Sequence, residues 1–137
     1  MDSRASVARP PRVLVVDDFR DVVTMFTYAL QQHGMEVVSA PDGRAALAKV
    51  KEAAPNVIVS DVMMPEMDGL ELCRQLRSDP HTKHIPIVMV TAGGPDHTQA
   101  ALAAGCDRVL SKPCSPKVLV ATIQSLITPE LATPDQA

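Results

Sequence analysis

"VIVSDVMMPEMDG", residues 57–69, decides how this chain folds. A run of apolar or small residues ends on one carboxylate, Asp61, and is stopped by two Met, a Pro and an Asp-Gly turn. A strand without polar alternation is buried on both faces, as in a parallel sheet. An ionised carboxylate at the end of such a strand is costly unless something pairs with it. Other groups must therefore converge on Asp61.

Working outward, the same strand-then-helix unit recurs along the chain. "RVLVV" (12–16), "EVVSA" (36–40), "NVIVS" (56–60), "IPIVMVT" (85–91) and "DRVL" (107–110) read as strands. Between them lie amphipathic segments with helix punctuation. Asp18 is placed to cap a first helix whose apolar positions are Val22, Phe26, Ala29 and Leu30, with Gly34 as its stop. Asp42 opens a second helix through Ala46, Leu47 and Val50, ending near Ala54-Pro55. Asp68 with Glu71 three residues later is a capping-box signal for a third. An Ala-rich fourth helix runs from about Asp96 to Ala104, and Ser115-Pro116 starts the last, through Leu119, Ile123 and Leu126. Alternating strands and helices imply an α/β fold with a parallel sheet covered on both faces. The expected organisation is one domain over residues 12–127 between flexible tails at 1–11 and 128–137.

Composition narrows the function. The 137 residues are 46% hydrophobic and 21% charged, which fits a soluble globular domain. Aromatics are only 2%, so aliphatic side chains and Met must fill the core. The net charge of −3, with no basic stripe, predicts no nucleic-acid partner. The apolar runs are too short to span a membrane and no secretory signal precedes them. Cys73, Cys106 and Cys114 lack metal-site spacing and read as reduced thiols, which suits a cytoplasmic protein. The cluster Met63, Met64 and Met67 reads as packing, Arg4, Arg9 and Arg12 as a solubilising tail, and His81 and His84 as solvated loop residues.

Open parallel sheets bind ligands beyond the carboxyl ends of their strands. The groups placed there are Asp17 and Asp18, Asp61, Thr91, and Lys112-Pro113. Three carboxylates raise each other's pKa unless a cation joins them. A donor set of oxygens alone favours a hard ion, and Mg²⁺, which keeps sites open for water and phosphate, fits better than a caged Ca²⁺. With a Lys and a Thr alongside, the set describes phosphoryl transfer, for which a carboxylate is a known nucleophile. Asp17 and Asp18 then divide from Asp61, the pair for metal and the single residue for phosphate.

In this order and spacing, "VVDD", "VSDVMMPEMDG", "VTA" and "SKP" resemble the receiver domain of bacterial two-component response regulators. The resemblance covers about residues 12–127 and implies a flavodoxin-like sheet of order 2-1-3-4-5, an order that periodicity alone does not supply. It implies Asp61 as phosphoacceptor, served by a sensor histidine kinase or histidine phosphotransfer protein. Asp17, Asp18 and Asp61 would hold Mg²⁺, or Mn²⁺ in its place, with the backbone carbonyl of Met63. Thr91 and Lys112 would bind phosphoryl oxygens, and the Lys112–Pro113 bond would be cis. An unknown downstream protein would read the face built from the fourth helix, fifth strand and fifth helix, which Ala100, Ala101 and Ala104 would make small and smooth. Such a protein is a phosphoacceptor that assists its own phosphorylation and dephosphorylation, not an enzyme.

The chain departs from the family at Val109, where an aromatic switch partner to the Thr is common, and at Cys114, where Phe usually follows Lys-Pro. Signal transmission must then rest on Thr91 and the backbone, with the Gly93-Gly94 loop, residues 92–97, reordering most. A stand-alone switch is the expected form. Against it stand a Mg²⁺-dependent phosphatase, a scaffold that is never phosphorylated, and one receiver cut from a longer protein. A phosphatase of this kind needs a second Asp two residues after the nucleophile, where this chain has Met63.

Overall fold

Five strands and five helices alternate without exception through residues 9–127, the part that the computed structural model describes. The strands are Arg12–Val16 (β1), Glu36–Ala40 (β2), Val57–Asp61 (β3), Ile87–Thr91 (β4) and Arg108–Ser111 (β5). The helices are Arg20–Gln32 (α1), Gly43–Ala53 (α2), Gly69–Ser78 (α3), Pro95–Ala104 (α4) and Pro116–Ile127 (α5). All pairings are parallel, in the order β2-β1-β3-β4-β5. This is the flavodoxin-like doubly wound α/β fold. Of the two expected tails, residues 1–8 (Arg4 among them) and 128–137 lie outside the described residues.

Side chains alternate across a strand, so each central strand feeds two cores. Val13, Val15, Val57, Val59, Val88 and Val90 point to one face, where Phe26 and Leu30 of α1 and Leu119 and Ile123 of α5 cover them. Leu14, Val16, Ile58, Ile87 and Met89 point to the other, beneath Ala46 and Val50 of α2, Leu72 and Leu76 of α3, and Ala101 of α4. The core is aliphatic as composition requires, with Phe26 the aromatic residue inside it.

Several local expectations shift, each for a physical reason. Strand β4 begins at Ile87, because Pro86 has no N–H to donate to a ladder, and the Ile87 N–H goes to Asp107 Oδ2 at 2.8 Å. Strand β3 runs one residue further than periodicity suggests and ends on Asp61 itself. Asp18 does not cap α1; Phe19 is the N-cap and offers only its backbone carbonyl to Val22 and Val23. Asp42 and Asp68 do cap, accepting from the Ala45 N–H at 2.8 Å and the Glu71 N–H at 2.9 Å. Arg12 is no tail residue. It pairs with Glu36 at 2.8 Å and donates to the Ala53 carbonyl, tying β1 to β2 and α2. Met64 and Met67 pack against the core as expected, but Met63 is 62% exposed. Ala101 and Ala104 are buried and Ala100 is half-buried, so these three do not make a smooth outer face; Leu102, 48% exposed, is the large apolar residue that α4 turns outward, beside exposed Ala103.

Candidate functional site

Strand ends bring the site together. Asp17 follows β1, Asp61 closes β3, Thr91 closes β4 and Lys112 follows β5, so parallel neighbours deliver four polar groups to one edge of the sheet. Carboxylate oxygens of Asp17, Asp18 and Asp61 lie within 4.8 Å of one another. Asp17 is 6% and Asp61 9% exposed, while Asp18 opens to solvent. The Lys112 ammonium donates to Asp61 Oδ2 at 2.8 Å and stands 3.7 Å from Asp17 Oδ2.

Backbone donors hold the two buried carboxylates. The Phe19 N–H donates to Asp17 Oδ1 at 2.9 Å, and the Met63 N–H to Asp61 Oδ1 at 3.2 Å. The loop after Asp61 folds back through Gly69, whose N–H donates to the Val62 carbonyl at 2.9 Å. A Cβ at Gly69 would overlap the Asp61 carbonyl oxygen, so the Asp-Gly turn in the sequence is what lets α3 start against the site. The Lys112–Pro113 peptide is cis.

Charge in this pocket is under opposing pressures. Burial pushes the Asp17 carboxyl above its ordinary value, more strongly than the Phe19 N–H and the Lys112 ammonium pull it down. Burial also works against the Lys112 ammonium, but the Asp61 hydrogen bond and the charge of Asp17 outweigh it, and that pKa moves up. Burial thus resists a charge on Asp17 even with Lys112 present. Burial raises the Cys73 and Cys114 thiols and takes Cys106 up to about 11, where it is inert. Cys114 lines one cavity wall with Lys112 and Pro113, while Cys73 and Cys106 are buried in the core.

Thr91 is 3% exposed, and its Oγ1 has two partners among the described residues. The Gly93 N–H donates to it at 3.0 Å, and Nδ1 of His97, on the first turn of α4, lies 3.1 Å away. The sequence reading missed His97. The signal was the bare Gly93 beside a helix start, because a Cβ at Gly93 would overlap the imidazole. Val109, half-buried on β5, packs against the aliphatic core on the α4 side of the sheet.

A doubly wound sheet of this order, with acids, Thr and Lys brought together at its carboxyl edge, has the layout of a signalling receiver. The chain belongs to the response regulator receiver domain family, whose model matches residues 13–124. It is 43% identical over 117 residues to the response regulator PleD of Caulobacter vibrioides, covering 84% of this chain and 26% of that protein. It is 38% identical over 125 residues to the alkaline phosphatase synthesis transcriptional regulatory protein PhoP of Bacillus subtilis, covering 90% and 51% respectively. The chain therefore spans about half or less of the length of these curated relatives. Among solved structures, a response regulator from Chloroflexus aurantiacus superposes with a TM-score of 0.83 at 35% identity, covering 87% of this chain and 98% of that one. The chemotaxis protein CheY4 of Vibrio cholerae gives 0.80 at 40% identity, covering 85% and 98%. No helix among the described residues is long and apolar enough to cross a membrane.

Proposed function

We propose that Asp61 is the residue on which this receiver is phosphorylated, by a phosphohistidine of a sensor histidine kinase or histidine phosphotransfer protein. The observation that supports it best is Lys112 Nζ, 2.8 Å from Asp61 Oδ2 and 3.7 Å from the buried second carboxylate, Asp17. In the transfer, an Asp61 carboxylate oxygen forms a bond to phosphorus as the phosphorus–nitrogen bond breaks. The electron pair and a proton stay with the donor imidazole. Lys112 follows the charge onto a phosphoryl oxygen, and the Thr91 hydroxyl donates to another.

The acidic set suits Mg²⁺, with Mn²⁺ able to replace it, because its donors are all oxygen and three carboxylates converge within 4.8 Å of one another. Asp17, Asp18, Asp61 and the backbone carbonyl of Met63 would hold the ion. When bound, it neutralises charge between the carboxylates and the incoming phosphoryl oxygens. Met63, exposed where a phosphatase of the aspartyl-phosphate type would carry its acid, favours a switch over a turnover enzyme. Output would pass through the loop between β4 and α4 to a protein that reads the α4-β5-α5 face, where Leu102 and Val118 are exposed. A cytoplasmic location suits such partners.

Intact-protein mass after incubation with a small-molecule phosphodonor and Mg²⁺ tests the assignment. One phosphoryl adduct is expected, absent in Asp61→Asn and in EDTA. An adduct that survives Asp61→Asn would overturn it.

A further inference from the structure

We infer that His97 is the switch partner of Thr91: in the resting protein the Thr91 hydroxyl donates its proton to His97 Nδ1, and the phosphoryl group on Asp61 takes that donation away. The inference rests on the reading of Asp61 as phosphoacceptor and assigns a positioning role to a residue outside the acidic site.

A threonine hydroxyl has one proton to donate. The Gly93 N–H fills one of the two acceptor positions of Thr91 Oγ1, at 3.0 Å, and the hydroxyl proton still needs an acceptor of its own. At 3% exposure Thr91 has little access to water, and Nδ1 of His97 stands 3.1 Å away. Phosphoryl oxygens carry no proton at this site and can only accept. Imidazole and phosphoryl group therefore compete for a single O–H.

The fold has made room for this contact. The ring lies where a Cβ on Gly93 would be, so any other residue there would expel it. Gly93 lies outside the positive-φ glycines, so its bareness serves the ring rather than the backbone. Val109 leaves no large ring on β5 to follow Thr91. His97 sits instead on the first turn of α4, directly after the Gly93-Gly94 link, and its release would free that turn. This gives the mobile loop expected from the Gly pair a specific trigger.

The test uses beryllofluoride, a phosphoryl mimic, with Mg²⁺ and the full chain. Nitrogen-15 NMR of the free protein should show His97 Nδ1 unprotonated and accepting a hydrogen bond, and this signal should shift on adding the mimic. His97→Ala removes the competitor, so it should bind beryllofluoride about three- to tenfold more tightly, the range of one net hydrogen bond. Gly93→Ala, which displaces the ring but keeps it, should reproduce that gain, and the double variant should add nothing further. A protonated Nδ1 in the free protein, or unchanged or weaker binding by both variants while wild type binds normally, would overturn the inference alone. Failure of wild type to bind the mimic would instead take down the Asp61 assignment, and this inference with it.

Discussion

Asp17 occupies a place where charge is costly, and the sign of that cost can be read by titration. Burial raises its carboxyl above the ordinary value of 3.8, so the native state holds the proton more tightly than the unfolded chain does. The stability this group contributes is full below the unfolded value and is lost as pH rises through the raised native one. Asp17→Asn should therefore stabilise the metal-free protein at neutral pH by about 1 kcal/mol, with no gain at the acid end. Urea denaturation across a pH series would show it, and a gain independent of pH would refute this account. Gly69 is a second residue whose role is local. An Ala there must move the Asp61 carbonyl, so Gly69→Ala should cost about 2 kcal/mol by overpacking and slow phosphorylation as well. Melting temperature and adduct formation rate would report both effects. Asp17, Asp18, Asp61, Thr91 and Lys112 were legible in the sequence because strand ends in a parallel sheet all face one edge. His97 was not, since the bare Gly93 leaves room for a ring but does not say which side chain the loop brings to it.

Elements were legible to within a residue or two wherever punctuation was chemical. Asp42, Asp68 and Ser115 each accept the backbone N–H groups expected of a cap. The errors fell where a side chain took over a backbone partner. Asp17 accepts from Phe19 and so delays the start of α1, while Asp107 takes the N–H of Ile87, the first residue of β4. Asp107 belongs to a clamp that periodicity does not reveal. Arg77, on α3, donates to the Gly105, Lys83 and Ile85 carbonyls at 2.8, 2.9 and 2.8 Å and pairs with Asp107 at 2.8 Å. Nothing in the sequence separates it from Arg74, whose ion pair among the described residues is with Glu71 of its own helix. The clamp ties α3 to the entries of β4 and β5, at the edge opposite the acidic site. Arg77→Met should therefore destabilise the fold by about 2 to 3 kcal/mol, because it leaves carbonyls and Asp107 without their charged donor. Phosphoryl adduct formation at low temperature should be unaffected. Arg74→Met should cost less than about 0.5 kcal/mol, and equal losses from the two would discard the clamp.

At the scale of the molecule, sheet order and function are one fact. Continuous apolar strands made the sheet parallel and two-sided, yet only the family resemblance supplied the order, because periodicity carries no information about which strands are neighbours. The order matters because it sets β1 and β3 side by side, bringing Asp17 and Asp18 to Asp61, and β4 and β5 next, bringing Thr91 and Lys112. A cation bound there joins the ends of two strands that are far apart in sequence, so its binding energy becomes folding energy. Mg²⁺ at about a hundredfold its Kd should raise global stability by about 2.7 kcal/mol, and EDTA should abolish the gain. Asp18 separates this linkage from a general salt effect. It is exposed and caps no helix, so Asp18→Asn should leave metal-free stability within about 0.5 kcal/mol of wild type. The same variant should lose most of the Mg²⁺-dependent gain, because a donor of the ion has gone. Chemical denaturation with and without Mg²⁺ decides the point. A full gain in Asp18→Asn would place the ion elsewhere and leave the acidic cluster without its assigned role.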